Sequence, residues 1–344
     1  MNRVVFCFLV LMMSGILIAS AEDRSRPAYT VEGGLGAVSG EVKYRIEGVH
    51  LNEYNPLWSM RERTGWATEM QYPEDMMCAE VGATARGVFN AEWDWEAGVR
   101  AWKNLTDPDA KVTQTDWYDA ETSEGFYQWD MWRYPTDERH GRVYSESATK
   151  LNAFGYDGKI KLVKATEAGP IAGVAGFRYH QLSYKTHGLE GYADGTDWAG
   201  IPSGPIPSVP NSQDVFSYDL WSGIPYLGLG YEFTCFKRLH GSVECDYSQW
   251  ASVKDRDRHM LQDSRYESQT DGTAWIFNLT LRYDVNAQWF AMFMADSLSV
   301  DTEGETTKMV YQPTAASPRA MMYHGPIEIS ERETRISVGV GRRL

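Results

Sequence analysis

Residues 254–259 read Lys-Asp-Arg-Asp-Arg-His, so Asp255, Asp257 and His259 recur at every second position. On an extended chain that spacing puts the three on one face and Lys254, Arg256 and Arg258 on the other. An imidazole beside a carboxylate is an oriented base. The carboxylate fixes the tautomer and stabilises the imidazolium while the ring takes a proton from water. A second carboxylate across a cleft holds that water and strengthens the base. The triplet has two other readings. Asp-x-Asp-x-His offers metal ligands, but no further ligands are recognisable nearby, so neither a metal nor another cofactor is expected. A run of alternating charges is also ordinary solvated loop surface. The elements that carry the triplet decide between them.

Met1-Asn2-Arg3 is a short basic start, and Val4 to Ile18 is an almost unbroken apolar run. Ala19-Ser20-Ala21 is a small-x-small cleavage site ahead of Glu22-Asp23. The run is short for a membrane-spanning helix. Residues 1–21 therefore read as a secretory signal peptide cleaved near Ala21, and 22–344 as one domain. Beyond the signal, Cys78, Cys235 and Cys245 are odd in number and widely spaced. That is neither a disulfide framework nor a zinc pattern. The 33 Lys and Arg against 47 Asp and Glu give a net charge of −14. Such a chain lacks the basic footprint of a nucleic-acid binder and suits a surface that attracts cations or cationic peptides. With 13 Trp and 20 Tyr it is too aromatic to be disordered.

The dominant pattern is alternation. Leu227, Leu229, Tyr231 and Phe233 are separated by Gly228, Gly230 and Glu232. Trp275, Phe277, Leu279, Leu281 and Tyr283 recur likewise, as do Trp93, Trp95, Ala97, Val99 and Ala101, and Ile336, Val338 and Val340. Period two with charges on one face means strands with one apolar and one wet face. A secreted β-sandwich also alternates, but two features favour lipid. Aromatics cluster at strand ends as in an interfacial girdle, and the polar faces carry charges and glycine as in a narrow wet lumen. Ten strands are expected, near 30–48, 67–90, 92–117, 147–165, 170–188, 214–236, 240–256, 269–285, 287–302 and 330–343. Their connections alternate between long polar ones (49–66, 118–146, 189–213, 257–268 and 303–329) and tight turns such as Glu167-Ala168-Gly169. The expected fold is all-β: a closed antiparallel ten-stranded transmembrane β-barrel in a bacterial outer membrane, with long extracellular loops. Parity from Val243 and Tyr247 points Asp257 outward, so a bulge or the start of the loop near Trp250 must intervene if it is to face the groove.

Several segments carry a family resemblance. They are Leu35 to Lys43 in the first strand, Asp116-Trp117-Tyr118-Asp119, Ile224 to Leu229, and Trp250 followed by Lys254 to His259. In that order and spacing the chain resembles an omptin, the family of ten-stranded outer-membrane proteases. The resemblance implies a His–Asp pair facing an Asp–Asp pair across an extracellular groove, with a water between them attacking the scissile peptide. Asp257 and His259 match the first pair and Asp116 one member of the second. The remaining position is Gln114, and an amide holds water but supplies neither charge nor a base. Asp109 and Asp119 are the nearby carboxylates that can be weighed as substitutes.

Asp255 matches one carboxylate of the family's pocket for a basic side chain, while the other position is Tyr44. The lipopolysaccharide-contact cluster falls on Phe177, Tyr179 and Gln181. The expected partners are therefore outer-membrane lipid, with lipopolysaccharide as a candidate, and a polypeptide substrate of cationic character. An omptin-like endopeptidase is the favoured reading. The alternative is a non-catalytic barrel of the same fold, an adhesin, structural protein or small porin. Ten strands enclose little open lumen for the last of these.

Overall fold

The structure, a computed structural model, describes residues 27–51, 63–120, 140–167, 169–194, 203–261, 264–310 and 322–344. The elements in chain order are β1 (Ala28–Leu51), β2 (Arg63–Pro73), β3 (Met76–Val88), β4 (Trp93–Asn104), β5 (Val112–Ala120), β6 (His140–Lys164) and β7 (Ile171–Asp194), followed by β8 (Gly204–Pro205), β9 (Val209–Phe236), β10 (Leu239–His259), β11 (Ser264–Asp284), β12 (Trp289–Val310) and β13 (Met322–Arg343). Every pairing is antiparallel, and β1 pairs with β13 from Thr30↔Arg343 to Ile46↔Ile327, so the sheet closes on itself. Two positions in the ring are each filled by two segments: β2 with β3, and β4 with β5. The short β8 merely adds to the end of β7. Ten strands therefore form the wall, as expected. The postulated signal peptide lies outside the described residues.

Alternation places apolar side chains on the outer surface. Leu229 is 69% exposed, and Val81, Leu227, Val338 and Val340 are all exposed on the same band. In water such a band would be costly, whereas in hydrocarbon it is what a barrel presents. Aromatics edge it, with Tyr247 packed on Trp275 at 4.8 Å between ring centroids. The lumen behind the band is ionic. Arg178 bridges Asp157 (3.1 Å) and Asp296 (2.6 Å), and Arg335 bridges Glu80 and Asp296 (3.3 Å each). The inner turns are tight. Asn286 Oδ1 accepts from the backbone of Gln288 and Trp289 (2.8 Å each), and Gly169 turns the β6–β7 hairpin with φ +123°.

The strands differ from expectation in two respects. They run farther toward the long-loop rim, so that β10 and β11 stay paired through His259 and Ser264, and β12 continues to Val310. The wall thus rises beyond the apolar band and carries the candidate groups on paired backbone. Two of the ring strands are also interrupted. The first breaks at Glu74 and Asp75, just after Pro73, which cannot donate to the ladder. The second breaks at 105–111, an excursion fixed by Asp107 accepting from the Leu151 amide (2.8 Å). Trp102 and Val112 are both buried on its two sides, so the excursion preserves inward parity.

Candidate functional site

The local backbone of β10 sets which way the triplet faces. Below Trp250 the inward residues are Glu244, Asp246 and Ser248, all buried, while Val243 and Tyr247 are exposed. Between Ser248 and Ala251 the register against β11 slips by one residue, and the register against β9 slips over the same stretch. This bulge, held by the Trp250 amide donating to Ser248 Oγ (3.1 Å), reverses parity. Above it Ala251, Val253, Asp255, Asp257 and His259 are all buried inside, with Asp257 1% exposed.

His259 Nε2 lies 2.8 Å from Asp257 Oδ2. The Tyr44 hydroxyl, from β1, donates a short hydrogen bond to that same oxygen. Phe216 meets the imidazole edge-on at 4.7 Å, and Tyr266 lies 5.2 Å away. With Nε2 turned to Asp257 as a donor, Nδ1 is the nitrogen left to accept a proton. Asp255 accepts from Tyr218 (3.2 Å), and its other oxygen is buried with no hydrogen-bond partner. Burial chiefly, and next among raising influences the Asp257 charge, push its pKa up to about 7, against hydrogen bonds from Ser268 and Tyr218. Beneath these groups Tyr72 stacks on Tyr218 at 4.2 Å and meets Tyr184 at 5.0 Å, while Tyr44 lies 5.5 Å from Tyr218. Four buried tyrosines thus floor the groove.

Asp116 comes from β5 on the opposite side of the ring. Thr68 Oγ1 donates to its Oδ1 (2.6 Å) and Gln114 Nε2 to its Oδ2 (2.9 Å). Burial raises its pKa, opposed by those two hydrogen bonds and then by the charges of His259 and Lys308. Lys308, from β12, faces both walls. Burial lowers its pKa against the pull of Asp116 and Asp257, and its ammonium sits 4.9 Å from the Tyr266 ring centre.

Tyr44, Asp255, Asp257 and His259 therefore form one contiguous group. Gln114 and Asp116 form a second, coupled to the first by charge. Asp109 does not join them, being exposed on the 105–111 excursion. The side chain of Asp119 lies outside the described residues. Lys308 and three tyrosines of the floor, Tyr72, Tyr184 and Tyr218, are the groups that sequence reasoning missed. The signal for Lys308 was present in Leu298, Val300, Thr302 and Thr306, all buried at its own parity. Among the described residues, the His, Cys, Asp and Glu side chains close enough to share a metal ion are not these but His180, Glu331 and Glu333, deeper in the lumen.

A family model described as the Omptin family matches residues 84–340. Among solved structures, the outer membrane protease OmpT from Escherichia coli superposes with a TM-score of 0.67 at 14% identity, covering 95% of this chain and all of that one. The outer membrane protein OprG from Pseudomonas aeruginosa also matches, at 10% identity, 93% and 97% coverage and a TM-score of only 0.34. No curated protein matches the sequence.

Proposed function

The chain belongs to the omptin family, and from that premise we propose that it is an outer-membrane endopeptidase acting on polypeptides at the cell surface. The observation that carries this reading is the buried His259–Asp257 pair, held at 2.8 Å on the groove wall opposite Asp116. A water lodged between His259 and Asp116 gives up its proton to His259 Nδ1 as it attacks the scissile carbonyl. Asp257 stabilises the imidazolium that forms, and the same ring returns the proton to the leaving amine. Asp116 anchors the water. Lys308 supplies positive charge at the mouth, where the tetrahedral oxyanion develops. Asp255 accepts a basic side chain, and Tyr44 takes the place of a second pocket carboxylate. Neither a metal nor a cofactor enters this scheme.

One observation favours the non-catalytic alternative. Thr68 and Gln114 each already donate to one oxygen of Asp116, so the opposing pair is partly satisfied by itself and has fewer acceptor sites left for a water. Peptide hydrolysis separates the two readings. The mature chain refolded in detergent should cleave unfolded or cationic peptides slowly. No hydrolysis by the natural chain or by Gln114→Asp, with the barrel intact, leaves the non-catalytic barrel as the survivor.

Outer-membrane lipid is the proposed surrounding of the apolar band. At the position of the lipopolysaccharide cluster the outer wall presents Phe177 and Tyr179 around Tyr156, with ring centroids 6.4 and 5.2 Å from it. That surface suits acyl chains better than phosphate groups. Fractionation should place the protein in outer membranes with heat-modifiable migration. Recovery as a soluble periplasmic protein would overturn the assignment.

A further inference from the structure

Below the tyrosine floor the lumen holds a second cluster that the proposed chemistry does not use. Glu331 and Glu333 are inward residues of β13, 1% and 3% exposed. His180 reaches them from β7, across the lumen, and its Nε2 lies 2.9 Å from Glu331 Oε2. The ligand atoms of these three residues all lie within 4.8 Å of one another. Glu74 enters from the break between β2 and β3. Its amide donates to the Gly40 carbonyl (2.9 Å), and Gly40 is the register partner of Glu333. The charges acting most strongly on Glu74 are those of Glu331 and then Glu333.

Hydrogen bonding leaves this cluster unsatisfied. Both carboxylate oxygens of Glu74, which is wholly buried, and both of Glu331 have no hydrogen-bond partner. His180 Nε2 is likewise unpartnered, because its short approach to Glu331 is not aligned as a hydrogen bond. The Tyr184 hydroxyl, 1% exposed, is unpartnered too, and the charges acting on it are Glu74, Glu331 and Glu333. Arg335 forms its ion pairs with Glu80 and Asp296 and also acts on Glu333, and Arg178 forms its own with Asp157 and Asp296. Glu74 and Glu331 thus converge with one imidazole and no lysine or arginine paired to them. Buried charge at that density calls for a counter-ion.

The geometry points to a divalent-cation site formed by His180, Glu331 and Glu333, with the Glu74 carboxylate and the Tyr184 hydroxyl close beside it. One imidazole nitrogen with carboxylate oxygens is a donor set for zinc or manganese in preference to a soft, thiol-seeking ion. Such an ion ties β13 to β7 on the opposite wall. It is a cross-lumen brace and takes no part in the groove above.

The test uses the mature chain, refolded in detergent after chelation and supplied with zinc or manganese alone. Metal content after gel filtration should be one ion per chain, and the temperature at which the heat-modifiable band shifts should rise with the ion present. His180→Gln and Glu331→Gln should each weaken retention by at least about 10-fold, since even loss of a supporting residue around a metal costs that much. Glu333→Gln serves if either variant fails to give a heat-modifiable barrel. His259→Ala should retain the ion unchanged, which separates this site from the groove and from the fate of the protease reading. The inference is overturned if the natural chain retains neither ion, if the lumen variants retain it as well as the natural chain, or if His259→Ala loses it.

Discussion

The two walls of the groove solve the same problem differently. On the β10 wall a one-residue bulge turns Asp255, Asp257 and His259 inward together, and residues from other strands finish each group. Asp257 is shared between His259 and Tyr44, Asp255 is met by Tyr218, and one oxygen of each carboxylate is left open. The β5 wall is closed. Asp116 accepts from Thr68 and Gln114, one at each oxygen. The amide of Gln114 makes this difference. Two carboxylates cannot donate to one another and must recruit a proton or a water between them, whereas Gln114 donates directly. The β10 wall leaves open acceptor oxygens beside an imidazole, and the β5 wall, as it stands, bonds to itself.

The largest effect should come from breaking the open wall. His259→Ala removes the only imidazole of the pair, and peptide hydrolysis should fall to the level of a blank refold. That should hold in the natural background and in Gln114→Asp alike. Measurable turnover by His259→Ala would show that the β10 wall is not the base, whatever the β5 wall does.

Opening the closed wall should sharpen the comparison next. Gln114→Asp deprives Asp116 of its amide donor and leaves two carboxylates to hold a water opposite His259. Activity should rise by about 10²–10⁴-fold, the range of a positioned acid–base group. The variant should keep the heat-modifiable barrel, since Gln114 lies in β5, beyond the 105–111 excursion and outside the apolar band of β4. An unchanged rate in a folded variant would show that the missing carboxylate is not what limits this chain.

Much of this arrangement was legible because it depends on local periodicity. Period two gave the ten-stranded wall, and the spacing of Asp255, Asp257 and His259 gave the face they share once the bulge near Trp250 reset parity. Lys308 was not legible for a specific reason. Residues 303–329 looked like polar loop, and inward parity means nothing in a loop, yet β12 carries pairing through to Val310. Residues 303–310 are polar because they stand above the apolar band, not because they leave the sheet. The break at Glu74 had a signal in Pro73, but the role of that break depends on Gly40 and Glu333, far apart in the chain. The approach of His180 to Glu331 likewise spans the lumen between non-neighbouring strands. Contacts of this kind follow from ring closure and shear, which no linear pattern records.

The smallest effect concerns the open wall's own specificity. With the Asp255 pKa pushed up to about 7, the pocket is largely neutral below that pH and anionic above it. A basic side chain binds the anion, so its arrival must lower that pKa, and by linkage affinity must rise with pH until the free pocket is fully ionised. Between pH 6 and pH 8 the ionised fraction of a group titrating near 7 changes by about tenfold, and the affinity for an arginine-containing peptide should climb by that factor and level off above. Binding is best measured in His259→Ala, where no cleavage intervenes. A peptide with citrulline in place of arginine is the control and should show no such climb. Asp255→Asn should flatten the arginine curve at its low-pH level, because an amide never acquires the charge. Equal climbs for the two peptides, or a climb that survives Asp255→Asn, would assign the pH dependence to another group in the groove, with Asp116 on the closed wall the first to examine.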